Sequence, residues 1–451
     1  MKDYIFREYD IRGVVGTDLT DDVVTSIGRG FGTYVRRHGG RKVSLGGDVR
    51  HSTVGFRENV AEGLMSVGVD VIDVGVVPTP ALYYTLFELP VDGSVMITGS
   101  HNPPDMNGFK LNLGTDSVFG GEIQKIREII EREDFESGEG RRSSAEILDA
   151  YADAIRGRIH IERPLKVVAD CGNGCASLVA CDLLKSLGCD VVPLYCEPDG
   201  SFPNHHPDPT VMEYIADLIA AVREHGADIG IGYDGDADRV GTVDENGEVV
   251  FADTMLALLA REVLAAGPAE IIFDVKCSQA LVEDIEAHGG TPVMWKTGHS
   301  LLKRKIKESG APIGGEMSGH MVLADGYYNI DDAIYASCRI LQMLSRGDRT
   351  LSELVSTVPR YYSTPEIRGE TTDDATKFLI VEKAVEYFKA NYDVIDVDGV
   401  RILFGDGWGL VRASNTQPVI VMRFEARTEE RLEEIQRLVT DKLREFGEIR
   451  Y

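Results

Sequence analysis

The chain has 451 residues, 43% of them hydrophobic, with 74 Asp and Glu against 47 Lys and Arg, a formal net charge of -27 at pH 7. That length exceeds one core and requires about three or four domains, while the charge excludes nucleic acid, whose binding rests on Lys and Arg neutralising phosphates. A phosphorylated ligand would meet a repulsive field, so its site must concentrate positive charge; Arg12, Lys110, Arg239, Lys276 and Arg412, all beside glycine-rich or turn-rich polar segments, are the candidates.

In chain order, residues 43–48, 69–75 and 94–98 read as short buried strands separated by stretches long enough for crossover helices. The third runs into Thr98-Gly99-Ser100-His101-Asn102-Pro103, which holds a serine hydroxyl at a strand end, with Gly99 leaving room for a substrate and Lys110 to meet an anion. Alone, this motif reads equally as a turn capped by its serine. A helix is predicted over 122–133. Strands at 165–170, 189–195 and 228–233, with an amphipathic helix over 212–224, form a second set, and its third strand leads into Asp234-Gly235-Asp236-Ala237-Asp238-Arg239. A third set, 270–275, 291–295 and the weaker 311–314, with a helix over 257–266, leads into Gly315-Glu316-Met317-Ser318-Gly319-His320. Three α/β units with largely parallel sheets follow, and ligands gather beyond the carboxyl ends of such strands. Residues 358–369, with Pro359 and Pro365, read as a linker. Beyond it a hairpin over 397–412 with a Gly-Asp-Gly turn, a strand over 419–425 and a charged helix near 428–446 indicate a small α+β domain. The expected boundaries are 1–147, 148–250, 251–358 and 359–451.

Asp234, Asp236 and Asp238 alternate, which in an extended segment turns three carboxylates to one side. Hard oxygen ligands without His or Cys suit Mg²⁺. A calcium EF-hand loop is the rival reading, with Glu245 at its last ligand position, but Arg239 stands where that loop needs glycine and a strand precedes it. An acidic surface turn is the bland alternative. Arg412-Ala413-Ser414-Asn415-Thr416 reads either as a phosphate cradle or as an ordinary turn. Glu316 and Ser318 offer an acceptor and a donor to a hydroxyl-rich ligand such as a sugar, and His299 and His320 read singly as structural histidines.

No run of about 18 apolar residues occurs, and residues 1–8 carry charges where a signal peptide is apolar. A soluble, cytoplasmic protein without a membrane partner is expected. The seven cysteines are odd in number and form no CxxC pair, which indicates neither a disulfide framework nor a zinc site.

Tyr9-Asp10-Ile11-Arg12-Gly13, residues 98–110, 234–239, Asp274-Val275-Lys276-Cys277, Lys296-Thr297-Gly298-His299, 315–320 and 412–416 stand in the order found in the α-D-phosphohexomutases. The chain resembles that superfamily over essentially its whole length, and within it the phosphomannomutase/phosphoglucomutase branch. The resemblance implies three related α/β domains with mixed, largely parallel sheets and a smaller α+β C-terminal domain around a central cleft. It implies that Ser100 carries the phosphoryl group, that Asp234, Asp236 and Asp238, with Ser100, hold Mg²⁺, and that Lys110 and Arg239 lie beside the transferred group. Glu316 and Ser318 would hold sugar hydroxyls, with His320 near them among the substrate contacts. Arg412, Ser414, Asn415 and Thr416 would grip the other phosphate, with Tyr9 among the substrate contacts. Arg12 and His299 would complete the site, His299 and Lys276 serving proton transfer or substrate contact. The implied reaction exchanges phosphate between the 1- and 6-positions of a hexose through a hexose 1,6-bisphosphate intermediate and activator, with a mobile fourth domain accepting both orientations. Met317 resembles the hexose branch, where the glucosamine branch shows Gln, and dual mannose and glucose specificity is the default. Ala237 takes a slot often filled by glycine, with no expected loss. Phosphoglucosamine mutase, a Mg²⁺-dependent sugar-phosphate phosphatase and a non-catalytic sugar-phosphate binder are the alternatives. Oligomeric state is not read from the sequence.

Overall fold

The computed structural model describes residues 2–414 and 419–450. They form two compact units, Met1–Met255 with Ser318–Leu354, and Leu256–Met317 with Val355–Tyr451. No helix among the described residues is long and apolar enough to cross a membrane.

The first unit contains two sheets built on one plan. In the first, strand Lys42–Gly47 lies centrally, with Asp70–Val76 parallel on one side and Gly93–Ile97 parallel on the other. Met106–Leu113 then returns antiparallel beside Gly93–Ile97, and Ile11–Val14 adds antiparallel beyond it. Strands Lys166–Asp170, Asp190–Leu194, Ile229–Tyr233 and Val240–Asp244 repeat the arrangement. Continuous apolar runs such as Val95-Met96-Ile97 are buried because helices cover both faces of such sheets. Each third strand thus ends at a hairpin-like return that carries polar chemistry: residues 98–105 in one sheet and 234–239 in the other.

In the second unit Glu270–Asp274 is flanked by Thr291–Trp295 and Ile313–Gly315, all parallel. Its other part is an antiparallel sheet of Asp393–Ile395, Val400–Leu403, Gly407–Ala413 and Val419–Ala426. Helices Asp374–Asn391 and Glu429–Phe446 close a core around Phe388, Ile402, Met422 and Phe424. Thr428 caps the second of these by accepting from the Arg431 amide.

The strand positions agree with expectation to within about two residues. Three segments differ. The helix expected over 257–266 is Ala252–Leu264, which begins and ends earlier. The helix expected over 212–224 is Ala216–His225, because residues 208–215 run through turns first. Residues 358–369 are not a free linker: Tyr362–Ser363 and Ile367–Glu370 pair antiparallel with Val419–Ala426, and Pro365 falls between the two short edge strands, where no ladder donor is missed. The C-terminal sheet also shares a small core with its own unit, since Val275 packs with Trp408 and Leu410.

Candidate active site

The first unit brings the phosphoserine candidate and the acidic triplet together. Ser100 Oγ donates to Asp234 Oδ2 at 2.8 Å, and its neighbour His101 places Nδ1 3.1 Å away. Ser100 is 2% exposed and sits at φ 48°, a left-handed conformation that costs a non-glycine residue about 1–2 kcal/mol. The surroundings must therefore hold it there. Burial, then the charges of Arg239 and Arg12, keep the His101 imidazole well below its ordinary pKa, so it is neutral at pH 7.

A group the sequence did not single out supplies that support. The Arg50 guanidinium is fully buried and donates to the carbonyls of Ser100 (2.8 Å), Asn102 (2.6 Å), Pro103 (2.6 Å) and Met106 (3.1 Å). Its Nε meets Asp48 Oδ2 at 3.1 Å, and Asp48 also accepts from the Gly99 amide and the Thr53 hydroxyl. The expectation that Gly99 leaves room for substrate is corrected here: a Cβ at Gly99 would stand 2.5 Å from the Arg50 guanidinium, so the glycine makes room for the arginine.

Residues 234–239 do not run extended. They form a tight turn with Ala237 at φ 62°, which accounts for glycine suiting that slot. Asp234 Oδ1 accepts from the amides of Asp238 (3.0 Å) and Arg239 (3.1 Å), folding the turn over its own first carboxylate. Gly235 lies so close to the Ser100 carbonyl that any Cβ would clash. The loops are bolted further by Thr79, whose amide donates to the Asp236 carbonyl (2.9 Å) and whose hydroxyl donates to Asp236 Oδ2 (2.5 Å).

All three aspartates are fully buried, with ligand oxygens within 4.8 Å of one another. Lys110 Nζ pairs with Asp238 and lies 3.4 Å from Asp236. Burial opposes the Lys110 charge, but Asp236 and Asp238 outweigh it and hold the ammonium protonated. Burial, then Asp238 and Asp236, push the Asp234 carboxyl well above the usual range. Burial also raises Asp238, yet Lys110 and His320 outweigh it and leave that carboxyl low. Lys110 contacts two of the three carboxylates, and Asp236 Oδ1 and Asp238 Oδ1 have no hydrogen-bond partner among the described residues. Orphaned hard oxygens beside a third carboxylate fit a small divalent cation such as Mg²⁺.

Arg239 Nε donates to His320 Nε2 at 3.0 Å, and His320 Nδ1 lies 3.2 Å from Asp331 and 3.7 Å from Asp238. Asp331, fully buried, is a second residue that sequence reasoning missed. Arg12 extends this edge from the antiparallel strand beside Gly108 and is held by Asp10 at 2.6 Å. Tyr9 and Ser318, both half-buried, belong to the same unit.

The second unit gathers another set. Lys276 Nζ lies 3.4 Å from Glu366 and 3.9 Å from Asp274; burial works against its charge, and those carboxylates overcome it. Asp274 accepts from the Thr297 hydroxyl (3.0 Å) and the Met317 amide (3.1 Å), tying three loops together. Glu316 accepts from the Gly298 amide, and His299 opens helix His299–Ser309. Arg412 Nε donates to Asp398 Oδ2 at 2.9 Å, and Asp398 also receives the Thr297 amide at 3.1 Å. Ser414 is buried at the end of strand Gly407–Ala413, whereas Asn415 and Thr416 lie outside the described residues. Asp48 and Asp274 occupy the same place in their sheets, beyond or at the end of the central strand, and each reaches the amide of the loop that follows the third strand.

Comparison with known proteins places this geometry. Models of phosphoglucomutase/phosphomannomutase alpha/beta/alpha domains I, II and III match residues 3–137, 149–247 and 251–362, and the C-terminal domain of the same family matches 366–442. The chain is 47% identical over 444 residues to the phosphomannomutase/phosphoglucomutase of Pseudomonas aeruginosa, covering 98% of this chain and 95% of that protein. It is 43% identical over 437 residues to a phosphoglucomutase of Neisseria gonorrhoeae, covering 96% and 95%. A crystal structure of a phosphoglucomutase/phosphomannomutase family protein from Burkholderia thailandensis matches with a TM-score of 0.94 at 42% identity over 100% of both chains. With four successive domains of one family along its length, the chain belongs to the phosphoglucomutase/phosphomannomutase family.

Proposed function

We propose that Ser100 is the group through which this enzyme moves phosphate between the 1- and 6-positions of a hexose, mannose or glucose. Hexose phosphate mutase activity is the function of the family to which the chain belongs. What carries the assignment of the residue is the contact of Ser100 Oγ with Asp234 at 2.8 Å, beside two carboxylate oxygens without hydrogen-bond partners among the described residues.

In the proposed cycle a sugar hydroxyl oxygen attacks the phosphorus of phospho-Ser100, the P–O bond to Oγ breaks, and a hexose 1,6-bisphosphate results. After it turns end for end, Ser100 Oγ takes the other phosphoryl group, so no phosphate is lost. Magnesium, held by Asp234, Asp236, Asp238 and the Ser100 oxygen, would neutralise charge on the transferring oxygens. Lys110 and Arg239 add fixed positive charge there, which the acidic molecule otherwise lacks. The neutral His101 cannot compete with them as a cation. Arg12 and Tyr9 line the approach, Glu316, Ser318 and His320 take sugar hydroxyls, and Lys276 and His299 contact substrate or carry its proton. Arg412, Ser414, Asn415 and Thr416 hold the phosphate that is not transferred. The proposed domains are 1–147 with the phosphoserine loop, 148–250 with the metal-binding loop, 251–358 with the sugar-binding loop and 359–451 with the phosphate-binding loop.

Intact mass spectrometry tests the reading. One phosphoryl adduct is expected on the purified enzyme after incubation with glucose 1,6-bisphosphate, absent from Ser100→Ala. Stoichiometric release of inorganic phosphate from substrate, with no adduct, would make the protein a phosphatase instead.

Asp331 acts in this scheme as a positioning residue for His320. Asp331→Asn is expected to lower kcat about 10- to 100-fold by loosening the imidazole, with KM changed by no more than about twofold because Glu316 and Ser318 still hold the sugar. Steady-state kinetics with glucose 1-phosphate separate the two, and a changed KM at constant kcat would contradict the role.

A further inference from the structure

Cys171, Cys181 and Cys196 are separated by ten and fifteen residues and match no metal-binding spacing, yet the fold closes them into a triangle. Strands Lys166–Asp170 and Asp190–Leu194 are parallel neighbours with Asp170 opposite Leu194, so their carboxyl ends deliver Cys171 and Cys196 side by side. Helix Ala180–Ser186 lays Cys181 over both. The sulfurs stand 3.9 Å (171 to 181), 2.9 Å (181 to 196) and 3.2 Å (196 to 171) apart. Cys171 and Cys181 are buried and Cys196 is half-buried, so the triangle is nearest solvent at its Cys196 corner. None of them takes part in phosphoryl transfer.

We propose that these three thiols form a binding site for a soft, three-coordinate cation of the Cu(I) class. A disulfide would use two of the three sulfurs and leave the third without purpose. Thiols are weak hydrogen-bond partners, which gives three of them no reason of their own to converge. Soft thiolate ligands select soft ions. A metal–sulfur bond of about 2.3 Å places sulfurs about 4.0 Å apart in a trigonal plane, and the 171 to 181 edge already has that length. The other two edges open by rotation of the Cys196 side chain, which follows the strand rather than lying within it. Among the described residues the cluster holds no fourth His, Cys, Asp or Glu, which disfavours Zn²⁺, an ion that takes four ligands. Each thiol gives up its proton to solvent as its sulfur bonds the ion, and no change of oxidation state is involved.

The site is tied to the catalytic loops of the same unit. Past Cys196 the chain is held by Asn173, whose Nδ2 donates to the Glu197 carbonyl and whose carbonyl receives the Asp199 amide. It then runs to Gly200, where a Cβ would lie 2.6 Å from the Arg50 Cα, and to Phe202, whose ring covers the Arg50 guanidinium at 5.0 Å. A cation that pins Cys196 therefore fixes the segment that covers the arginine under the phosphoserine loop.

The test is anaerobic titration of the reduced full-length protein with Cu(I) against a chromophoric Cu(I) chelator, followed by X-ray absorption of the loaded protein. One equivalent held by three sulfurs is expected. Cys181→Ser and Cys196→Ser should each weaken retention at least tenfold, while Cys189→Ser leaves it unchanged and all three keep wild-type circular dichroism and turnover. Failure to retain copper, a nitrogen or oxygen shell, retention surviving in both variants, or preferential retention of Zn²⁺ would each overturn the proposal. So would loss of two thiols to a disulfide without bound copper.

Discussion

Arg50→Met is expected to destabilise the first unit by about 3–5 kcal/mol, the cost of leaving one partner of a buried ion pair alone, and to reduce turnover with it. The guanidinium satisfies four carbonyls of residues 100–106 and one oxygen of Asp48, all without solvent. Methionine fills the volume but donates nothing, so those carbonyls and Asp48 lose their donor together. Burial already raises the Asp48 carboxyl despite Arg50, Thr53 and two amides, and without the arginine it rises further. Ser100 would then leave its left-handed conformation, which no local preference maintains. Because a chain of two compact units does not unfold in one step, hydrogen exchange of the amides of Gly99, Ser100 and Asn102 is the proper measurement, with kcat alongside. Faster exchange confined to this loop and its neighbours is the expected result. Arg50→Lys should recover only part of the protection, since one ammonium cannot reproduce a planar fork that reaches four carbonyls. Unchanged protection and turnover in Arg50→Met would show that the loop holds its shape by itself.

Arg50 also marks the limit of what the sequence disclosed. The three α/β repeats were legible because buried parallel strands are written as short apolar runs, and the polar loops beyond them stood out as breaks in that pattern. Ser100 and the Asp234, Asp236 and Asp238 triplet were visible as dense local motifs. The roles of Asp48, Arg50, Asp274, Asp331 and Asp398 were not, because each depends on a contact that only the folded chain makes: Arg50 on residues 100–106, Asp274 on Thr297 and Met317, Asp398 on Arg412 and Thr297. A strand-terminal Asp looks like an ordinary turn former until the sheet order brings its target alongside. Backbone conformation was hidden for a similar reason. The alternation of the aspartates fits an extended segment, and only the two amides converging on Asp234 Oδ1 reveal the turn that Ala237 completes. The three cysteines were legible as residues but not as a cluster, since the convergence of their sulfurs depends on the pairing of two strands.

Asp236→Asn is expected to lower kcat/KM about 10²- to 10³-fold, the scale on which one preorganised electrostatic partner of a transition state acts, while the fold survives. Asparagine retains an oxygen that can accept from the Thr79 hydroxyl, and the Asp236 backbone carbonyl still receives the Thr79 amide. Lys110 retains its contact with Asp238, so no charge is stranded by the change. What disappears is one negative charge from three fully buried carboxylates, of which Asp236 and Asp238 share a single lysine. Two opposite effects on stability follow. Without divalent cation, the variant should match or exceed wild type in resistance to denaturant, because repulsion within the triplet is relieved. With Mg²⁺, wild type should gain about 2.7 kcal/mol at a hundredfold excess over Kd, whereas the variant, with fewer charged ligands, gains much less. Denaturation of both proteins in chelator and in Mg²⁺, with turnover of glucose 1-phosphate measured across the same range, gives all four arms. A generally weakened protein would be less stable in both conditions; only loss of a cation ligand reverses the order between them. Normal turnover in the variant, or an undiminished response of its stability to Mg²⁺, would remove Asp236 from the metal site and leave it its two bonds to Thr79 and its pairing with Lys110.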